Sequence, residues 1–474
     1  MENQNPNPQR PVNPRRRKRS KFQIFKETYL PVIIAGIAVI FIITLIAGAA
    51  SRNSAQEQAA LDASIAQQEA ADNESSRLQA EVDLLLTSSA KFAASYDYDR
   101  AIAVIDTFSG NINSYPELAN RRQEYEAAKN DLVAWEDPSK VINLCFQPLI
   151  VDSERAFTDD YYGQSYRTQY VTTSEFSRIL TQLYENDYIL VSLDDFIITE
   201  TTATGTTVYH TKPMYLPEGK KPLMITQVNV NFQTYMIDGD KDGYADKDGA
   251  GFASKLVLDN TNRLTCEMVG ADGQTTTGAY DLVPILDAFI EQHPDFSYKG
   301  SKALLALTGY DGLFGYRTNS EAERVYGTAQ FELDIQEAEA VAEALRLSGY
   351  DLACYTYNNI PYGDRALAEI QADLSGWIHE VTPILGKIDI LVYAQGSDIA
   401  SPDAGYSGEK YNALFDAGFR YYIGFCSDGE PWLNVNDNYV RQGRILVTSS
   451  NIKDHPDWFT GIFDANTVLD PERP

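Results

Sequence analysis

The sequence predicts an α/β fold made of repeated strand–helix units, and three observations support this prediction. From about residue 141, short apolar runs such as VINLCF, YILVSL, ALLALTG and RILVTS recur along the chain. Amphipathic segments separate these runs, which is typical of buried parallel strands joined by helices. No glycine-rich phosphate loop follows the early strands, which argues against a nucleotide-binding fold. These patterns leave a barrel and a doubly wound sheet open.

The helices of this region have recognisable starts and ends. Thr172 and Glu175 have the spacing of a capping box. DLVPILDAFIEQH and YNALFDAGF are helical in pattern, and DIQEAEAVAEALRLSGY predicts a helix that ends at Gly349. The strand candidates between them are PLMITQV, LACYTY, IDILVYA and RYYIGF. The helix after the capping box places four apolar residues on one face: Phe176, Ile179, Leu180 and Leu183.

The first 50 residues predict a membrane anchor. Residues 1–28 carry eight Lys and Arg against two Glu, and no charged residue occurs from Thr28 to Ser51. As a helix, the apolar stretch spans about 33 Å, enough for a bilayer core. A buried soluble helix or a cleaved signal peptide is the alternative, but the run exceeds an ordinary signal sequence. The preceding positive charge predicts a single-pass protein of the cell membrane, with its N-terminus cytoplasmic and its main domain outside.

Four segments follow from this organisation. They are a basic cytoplasmic tail at 1–28, a transmembrane helix at 29–50, a helical stalk at 51–136 and the α/β domain at 137–474. The stalk is rich in Ala, Gln, Glu and Leu, with no Pro or Gly in its first 40 residues. We interpret the stalk as a spacer, with a partner-binding helical hairpin as the alternative.

Charge and cysteine usage exclude some classes of protein. The formal net charge is −28, and the basic tail makes the rest of the chain more acidic still. A chain this acidic beyond its basic tail repels nucleic acid, and we expect no nucleic-acid partner. The four cysteines have no CxxC spacing, which leaves thiolate metal sites and thioredoxin chemistry unsupported. Their disulfide state stays open: Cys354 with Cys426 is one conceivable pair, and buried free thiols are the other option, also for Cys145 and Cys266.

Several ordered segments resemble the polysaccharide deacetylase family (carbohydrate esterase family 4, the chitooligosaccharide deacetylase homology domain). VTTSEFSRILTQLYENDYILVSLDDF is similar to the segment between the first two strands of that family, and LPEGKKPLMIT to the approach to its catalytic strand. YAQGSDI lies where a later active-site loop belongs. NYVRQGR and DPERP are similar to a membrane-anchored, Gram-positive branch. The resemblance covers residues 137–474 and implies a distorted (β/α) barrel of about seven strands.

The resemblance also places the family's catalytic motifs on this chain. Such enzymes use a divalent metal and an Asp base at the strand ends. The motif Thr-Phe-Asp-Asp falls on Thr226 to Asn229, with Val228 at the base and Asn229 at a metal ligand. The motif His-Ser/Thr-x-x-His falls on Tyr355 to Asn359, so Tyr355 and Asn359 replace both ligand histidines. Gln147 stands where many relatives carry a His.

These replacements remove the chemistry that the motifs provide. Valine accepts no proton, and Asn229 lacks the negative charge that holds a hard cation. Neutral tyrosine and asparagine are weak ligands for zinc-like ions. The chain has four histidines (His210, His293, His379 and His455), none within five residues of another. The sequence therefore predicts no catalytic residue and no catalytic metal.

One acidic stretch predicts a structural calcium site. DGDKDGYADKDG begins at Asp238 and has the opening pattern of a calcium loop, with glycine at the sixth position. The twelfth position is Gly249 instead of a bidentate Glu, and a solvated acidic hairpin loop is the alternative. The candidate ligands are Asp238, Asp240, Asp242, the Tyr244 carbonyl and Asp246.

Other side chains near predicted strand ends are candidates for ligand binding. Asp311, Asp398 and Asp428 follow strands, and paired carboxylates there would suit a remodelled glycoside hydrolase. Aromatic side chains in this region could stack on sugar rings, with packing at the rim of a filled barrel as the alternative. No GxSxG elbow is present, which argues against serine hydrolysis. The ligand-binding candidates are Gln147, Asp311, Tyr357, Tyr393, Asp398, Asp428, Trp432 and Arg441.

The sequence favours a membrane-anchored, deacetylase-like protein without deacetylase activity, which binds a cell-wall glycan or acts as a scaffold at the cell envelope. One alternative is an active polysaccharide or peptidoglycan N-deacetylase with a relocated metal site. Another is an adhesion or assembly module that uses the stalk. The sequence gives no oligomeric state.

Overall fold

The structure, a computed structural model, describes residues 54–237, 250–471 and 473. The α-helices are α1 (Ser54–Ala94), α2 (Tyr98–Ile105), α3 (Pro116–Asn130), α4 (Ser153–Ala156), α5 (Tyr161–Gln169), α6 (Thr173–Glu185), α7 (Leu193–Phe196), α8 (Thr234–Ile237), α9 (Leu282–Gln292), α10 (Ser320–Tyr326), α11 (Thr328–Ser348), α12 (Leu367–Gly376), α13 (Thr382–Leu385), α14 (Gly408–Ala417), α15 (Ser449–Asp454) and α16 (Ala465–Val468). The strands are β1 (Val133–Trp135), β2 (Ile142–Phe146), β3 (Tyr188–Leu190), β4 (Ile197–Thr201), β5 (Thr207–Thr211), β6 (Met214–Leu216), β7 (Lys221–Val228), β8 (Lys255–Leu258), β9 (Leu264–Val269), β10 (Thr275–Gly278), β11 (Leu304–Leu307), β12 (Asp351–Cys354), β13 (Ile390–Val392), β14 (Tyr421–Phe425), β15 (Leu433–Val435) and β16 (Val440–Leu446). A π-helical turn, Trp377–Val381, follows α12.

Seven parallel strands form a closed barrel. The ring runs β11–β12–β13–β14–β16–β2–β7, and pairing of β7 with β11 closes it. β3 joins the first half of β7, with Tyr188 opposite Lys221, whereas β11 joins its second half, with Leu304 opposite Thr226. The closed ring confirms the predicted barrel and excludes the doubly wound sheet.

The barrel has an inner and an outer apolar layer because side chains alternate along each strand. On β7, Met224 and Val228 belong to a buried cluster with residues of the other barrel strands. Leu223 and Ile225 belong instead to the larger cluster that includes the surrounding helices. Val228, an apolar residue at the carboxyl end of β7, therefore points into the barrel.

A polar network also crosses the barrel interior. The Thr226 hydroxyl donates to Asn143 Oδ1 over 2.8 Å, and Asn143 Nδ2 donates to Gln442 Oε1 over 3.3 Å. All three residues are buried. Because they lie on β7, β2 and β16, the hydrogen bonds tie neighbouring strands from inside the ring.

The predicted helix signals are confirmed. Thr172 accepts from the Glu175 backbone N–H, and Glu175 accepts from the Thr172 backbone N–H, as a capping box requires. The predicted apolar face of α6 is fully buried. α11 ends at Gly349, whose φ of 98° is the left-handed conformation that glycine adopts most easily.

Helices precede the barrel in the described part of the chain. Val82, Ile105, Leu118 and Tyr125 belong to one buried cluster that joins the second part of α1 to α2 and α3. Contacts divide the chain after Arg77, so residues 54–77 form a unit of their own. No helix among the described residues is both long and apolar enough to span a bilayer. The predicted tail at 1–28 and transmembrane segment at 29–50 lie outside the described residues, so both stay predictions.

A buried ion pair ties the end of the chain to the first helices of the barrel domain. Arg473 lies 2.5 Å from Glu175, and their side chains are 1% and 0% exposed. Arg473 also donates to the backbone carbonyl of Tyr170 over 2.6 Å. Glu175 accepts from the backbone N–H of Asp470 over 2.9 Å. Removing either partner leaves the other charge buried alone.

We predict that Arg473→Ala lowers the free energy of unfolding by about 3–5 kcal/mol, since Glu175 then loses the cation of its buried ion pair. Denaturant unfolding of the full chain measures this loss. Arg365→Ala is the matched control, because its ion pair with Glu369 is exposed and contributes less than about 1 kcal/mol. Equal losses in the two variants would contradict the prediction.

Candidate functional site

The motif positions lie at the carboxyl end of the barrel. Val228 is the last residue of β7, Asn229 follows it, and Tyr355 follows β12. Active sites of (β/α) barrels form at this end because the loops after the strands converge there. We call this region the barrel mouth, and we define it by Gln147, Val228, Asn229, Tyr355 and Asn359.

Asn229 and Gln147 form a neutral hydrogen-bonded pair at the mouth. Asn229 Nδ2 donates to Gln147 Oε1 over 2.9 Å. The Asn229 side chain is buried, and its Oδ1 atom has no hydrogen-bond partner. Two neutral amides that bond to each other thus occupy this part of the mouth.

Tyr355 and Asn359 contact the loop after β13. The Tyr355 hydroxyl accepts from the Gln395 backbone N–H over 3.1 Å, and Gln395 Nε2 donates to the Asn359 carbonyl over 3.4 Å. Burial raises the pKa of Tyr355 above its ordinary value, against the lowering effect of Arg444. The phenol therefore stays protonated at neutral pH and is a poor metal ligand. Gln395 belongs to YAQGSDI, the segment predicted from the sequence to lie at an active-site loop.

Four non-glycine residues near the mouth have left-handed backbone conformations. They are Asn229 (φ 58°), Thr356 (φ 59°), Asn359 (φ 54°) and Gln395 (φ 55°). Asparagine tolerates this region, but a β-branched threonine does not, and Thr356 is fully buried. Such strain persists only where the surroundings fix the backbone. The loops of the mouth are therefore held in defined conformations.

Asp373 holds the loop that carries Tyr355 and Asn359. Its carboxylate accepts from the backbone N–H groups of Tyr357 and Asn358 over 2.7 and 2.8 Å. It also accepts from the Tyr362 hydroxyl over 2.7 Å. Asp373 is only 2% exposed, so these bonds form away from water, where they are strongest.

Asp281 has the same role on the opposite side of the mouth. It accepts from the Leu149 backbone N–H and from Gln227 Nε2, each over 2.9 Å. Leu149 follows Gln147 by two residues, and Gln227 precedes Val228. The sequence places Asp281 only as the first residue of a helical segment, because its partners are distant along the chain.

Arg444 provides a buried positive charge inside the barrel. Its guanidinium donates to the backbone carbonyls of Ile423 and Tyr393, each over 2.8 Å, and lies 5.9 Å from the Tyr355 ring centre. No carboxylate of the described chain lies within 4.0 Å of it. A cation beside the mouth positions opposes a second cation there. Sequence reasoning missed Arg444, since an arginine within a strand is not distinctive.

The candidates Asp398 and Arg441 form a buried ion pair of 2.9 Å. Arg441 also donates to the carbonyls of Ala400 and Ala404, and the Tyr406 hydroxyl donates to Asp398 over 2.7 Å. The Arg441 guanidinium lies 5.5 Å from the ring centre of Trp432. The sequence-based candidates Asp398, Arg441 and Trp432 do come together, around the loop that follows β13.

Of the remaining candidates, Tyr393 lies beside Tyr406 and Asp398 of this group, whereas Asp311, Asp428 and Tyr357 have other partners. Asp311 accepts from the Thr234 backbone N–H over 2.6 Å, which places it at the start of α8. Asp428 is exposed and accepts from the Glu430 backbone N–H over 3.2 Å. Tyr393 is fully buried. The Tyr357 hydroxyl donates to Glu380 over 2.5 Å, and a side chain at Gly309 or Gly376 would collide with the Tyr357 ring.

Tyrosines also surround the mouth. The side chains of Tyr170 and Tyr235 lie beside each other, and both lie near Tyr355. Tyr235 stacks on Tyr162 with the ring centres 6.0 Å apart. Burial raises the pKa of Tyr170 and of Tyr235, so these phenols are neutral. The two tyrosines thus contribute neutral aromatic rings to the surroundings of the motif positions.

Metal ligands are not clustered in the described part of the chain. No group of three or more His, Cys, Asp or Glu residues there could hold a metal ion. The donor set of the mouth is amide, phenol and backbone, which does not fit a catalytic divalent ion. The calcium candidates at 238–246 lie outside the described residues.

The cysteines are free. Cys145, Cys266, Cys354 and Cys426 are all buried thiols, so the conceivable pair Cys354–Cys426 is wrong. Each thiol lies within the apolar core, where burial raises its pKa and keeps it protonated.

Comparison with known proteins adds little to this geometry. No family model and no curated protein matches the chain. A solved structure, the Streptococcus pyogenes deacetylase PplD in complex with acetate, is similar at 10% sequence identity and a TM-score of 0.33. The match covers 70% of this chain and 99% of that one. A likeness of this size carries no argument, so the barrel assignment rests on the strand pairing described above.

We predict that Arg441→Ala destabilises the protein by about 3–5 kcal/mol, because Asp398 is left buried without its cation. Residues 398–404 should then become a preferred site of limited proteolysis, since Arg441 binds four of their carbonyls. Arg263→Ala, which removes an exposed pair with Glu291, is the control. An unchanged cleavage pattern in Arg441→Ala would contradict this role.

Proposed function

We propose that this protein is a membrane-anchored, deacetylase-like barrel without deacetylase activity that binds or presents glycan at the cell envelope. The observation that carries the proposal is the Asn229–Gln147 hydrogen bond, which occupies the mouth with two neutral amides. A metal-dependent hydrolase needs a carboxylate base and anionic or imidazole ligands at such positions. In this chain the nearest buried carboxylates bind loop backbones instead.

The geometry of the mouth supports the proposed loss of hydrolysis in a second way. Arg444 places a fixed positive charge next to Tyr355. A divalent cation bound beside Tyr355 would be repelled by this guanidinium, and the described mouth offers no carboxylate to offset the repulsion.

We predict that the purified full-length protein binds no stoichiometric zinc and releases no acetate from N-acetylated chitooligosaccharides or peptidoglycan. Elemental analysis and an acetate assay measure the two quantities. Stoichiometric zinc together with acetate release would overturn the proposal and favour an active deacetylase with a relocated site.

The combined variant Val228→Asp, Asn229→Asp, Tyr355→His and Asn359→His restores the family's ligand types. We expect it to bind zinc more tightly than the same variant without the change at Asn359.

A second candidate function is assembly with a protein partner through the helices before the barrel. Leu61 and Ile65 are 53% and 46% exposed on α1, which is unusual for apolar side chains on a helix that serves only as a spacer. Retention of the full chain on purified cell-wall glycan supports the glycan proposal. Loss of that retention, with capture of a protein partner that requires Leu61 and Ile65, supports assembly.

We also propose that the acidic segment beginning at Asp238 binds a structural calcium ion, on the basis of its alternating aspartates and the following glycine. Millimolar calcium should then raise the melting temperature, because an ion that binds only the folded state stabilises it. Asp240→Ala should abolish the increase, whereas Asp272→Ala, in an exposed turn, should not. A shift that survives Asp240→Ala would sink the calcium proposal.

A further inference from the structure

Asp281 and Gln227 form a buried pair whose geometry suits a neutral acid. Gln227 Nε2 lies 2.9 Å from both carboxylate oxygens of Asp281. Asp281 is 2% exposed and Gln227 is 0% exposed. The pair joins the start of α9 to the carboxyl half of β7, one residue before Val228.

No positive charge stabilises the Asp281 carboxylate. Within the described chain, no Lys, Arg or His nitrogen lies within 4.0 Å of it. From β9 the titratable group facing it is the Cys266 thiol, whose pKa burial and the nearby Asp281 raise. Asp287 of α9 bonds to Lys302 and Tyr350. The segment at 147–149 and the neighbouring part of β7 contribute no charged side chain.

The second observation is an unsatisfied acceptor in the same pair. Gln227 Oε1 is buried and has no hydrogen-bond donor. An ionised Asp281 only accepts, so it leaves this oxygen without a partner. A protonated Asp281 has an O–H to donate. It then forms two bonds with the amide, one to Gln227 Oε1 and one from Gln227 Nε2.

We propose that Asp281 and Gln227 form a proton-operated switch beneath the barrel mouth. When the Asp281 carboxyl is ionised, Gln227 donates to both of its oxygens. When the carboxyl is protonated, Gln227 donates to one oxygen and accepts from the other. The amide turns within its plane, and the orphaned oxygen becomes bonded. This inference stands whether or not the mouth binds glycan.

The switch works in a defined pH range. Burial raises the pKa of Asp281 to about 6, against the lowering effect of the hydrogen bonds from Leu149 and Gln227. The folded chain thus binds the proton more tightly than the unfolded chain does. The resulting stabilisation is complete below the ordinary aspartate pKa of about 4 and disappears as the pH rises through about 6.

The mouth is directly connected to this switch. The Asp281 carboxyl bonds both to Leu149, two residues after Gln147, and to Gln227, two residues before Asn229. Gln147 and Asn229 are the two partners of the amide pair. A change at Asp281 therefore reaches both sides of that pair through short stretches of backbone.

The experiment is a pH titration of the full chain labelled with nitrogen-15 on glutamine side chains. The signal missing in Gln227→Met assigns Gln227. In the wild type we expect this amide signal to titrate with a midpoint near pH 6. Asp281→Asn carries a neutral isostere that also donates to Gln227 Oε1, so we expect its signal to stay at the low-pH position at every pH.

Asp281→Ala separates the switch from a purely structural role. Asp281→Ala loses the hydrogen bonds to Leu149 and Gln227 at all pH values. The wild-type folding equilibrium should change about 100-fold between pH 4 and 7, and Asp281→Asn should lose only this pH dependence. Should neither variant fold, the wild-type titration still decides. A Gln227 signal that does not move between pH 4.5 and 7.5, or that moves equally in Asp281→Asn, overturns the proposal.

Discussion

The strands of a parallel barrel end in loops whose backbone N–H groups need acceptors, and this chain supplies them with buried aspartates. Asp281 binds the segment after β2, Asp373 binds the loop after β12, and Asp311 binds the start of α8. Asp398 acts through Arg441, which gathers the carbonyls of the loop after β13. The conformation of the mouth depends on these contacts, including its left-handed residues, because without them the strained backbones would relax.

Because the buried carboxylates hold the loops, they are not available for chemistry at the mouth. A carboxylate whose oxygens accept backbone hydrogen bonds is neither a free base nor an available ligand. The mouth is left with amides, phenols and the Arg444 guanidinium, whose Nη atoms donate to carbonyls of β14 and the end of β13. Hydrogen-bonding groups and aromatic faces are what this region offers.

The sequence predicts local features well and distant ones poorly. The capping box at Thr172 and the helix end at Gly349 are read from neighbouring residues, and both are confirmed. Periodicity alone did not decide between a closed barrel and a doubly wound sheet, because the pairing of β7 with β11 joins segments far apart in sequence. Asp281 escaped prediction for the same reason, since its partner Leu149 lies 132 residues away. Arg444 escaped prediction because an arginine within a strand is not distinctive.

The ion pair between Glu175 and Arg473 has a consequence for the order of folding. The last strand, β16, pairs with the first barrel strand, β2, and Arg473 then binds α6, which follows β2. The amino-terminal part of the barrel therefore stays incomplete until residues as late as Arg473 have been synthesised. Until then Glu175 has no cation from Arg473, and one edge of β2 is unpaired. A chain delivered gradually from its N-terminus closes its ring in one late step, and an interrupted chain exposes an unpaired strand to its neighbours.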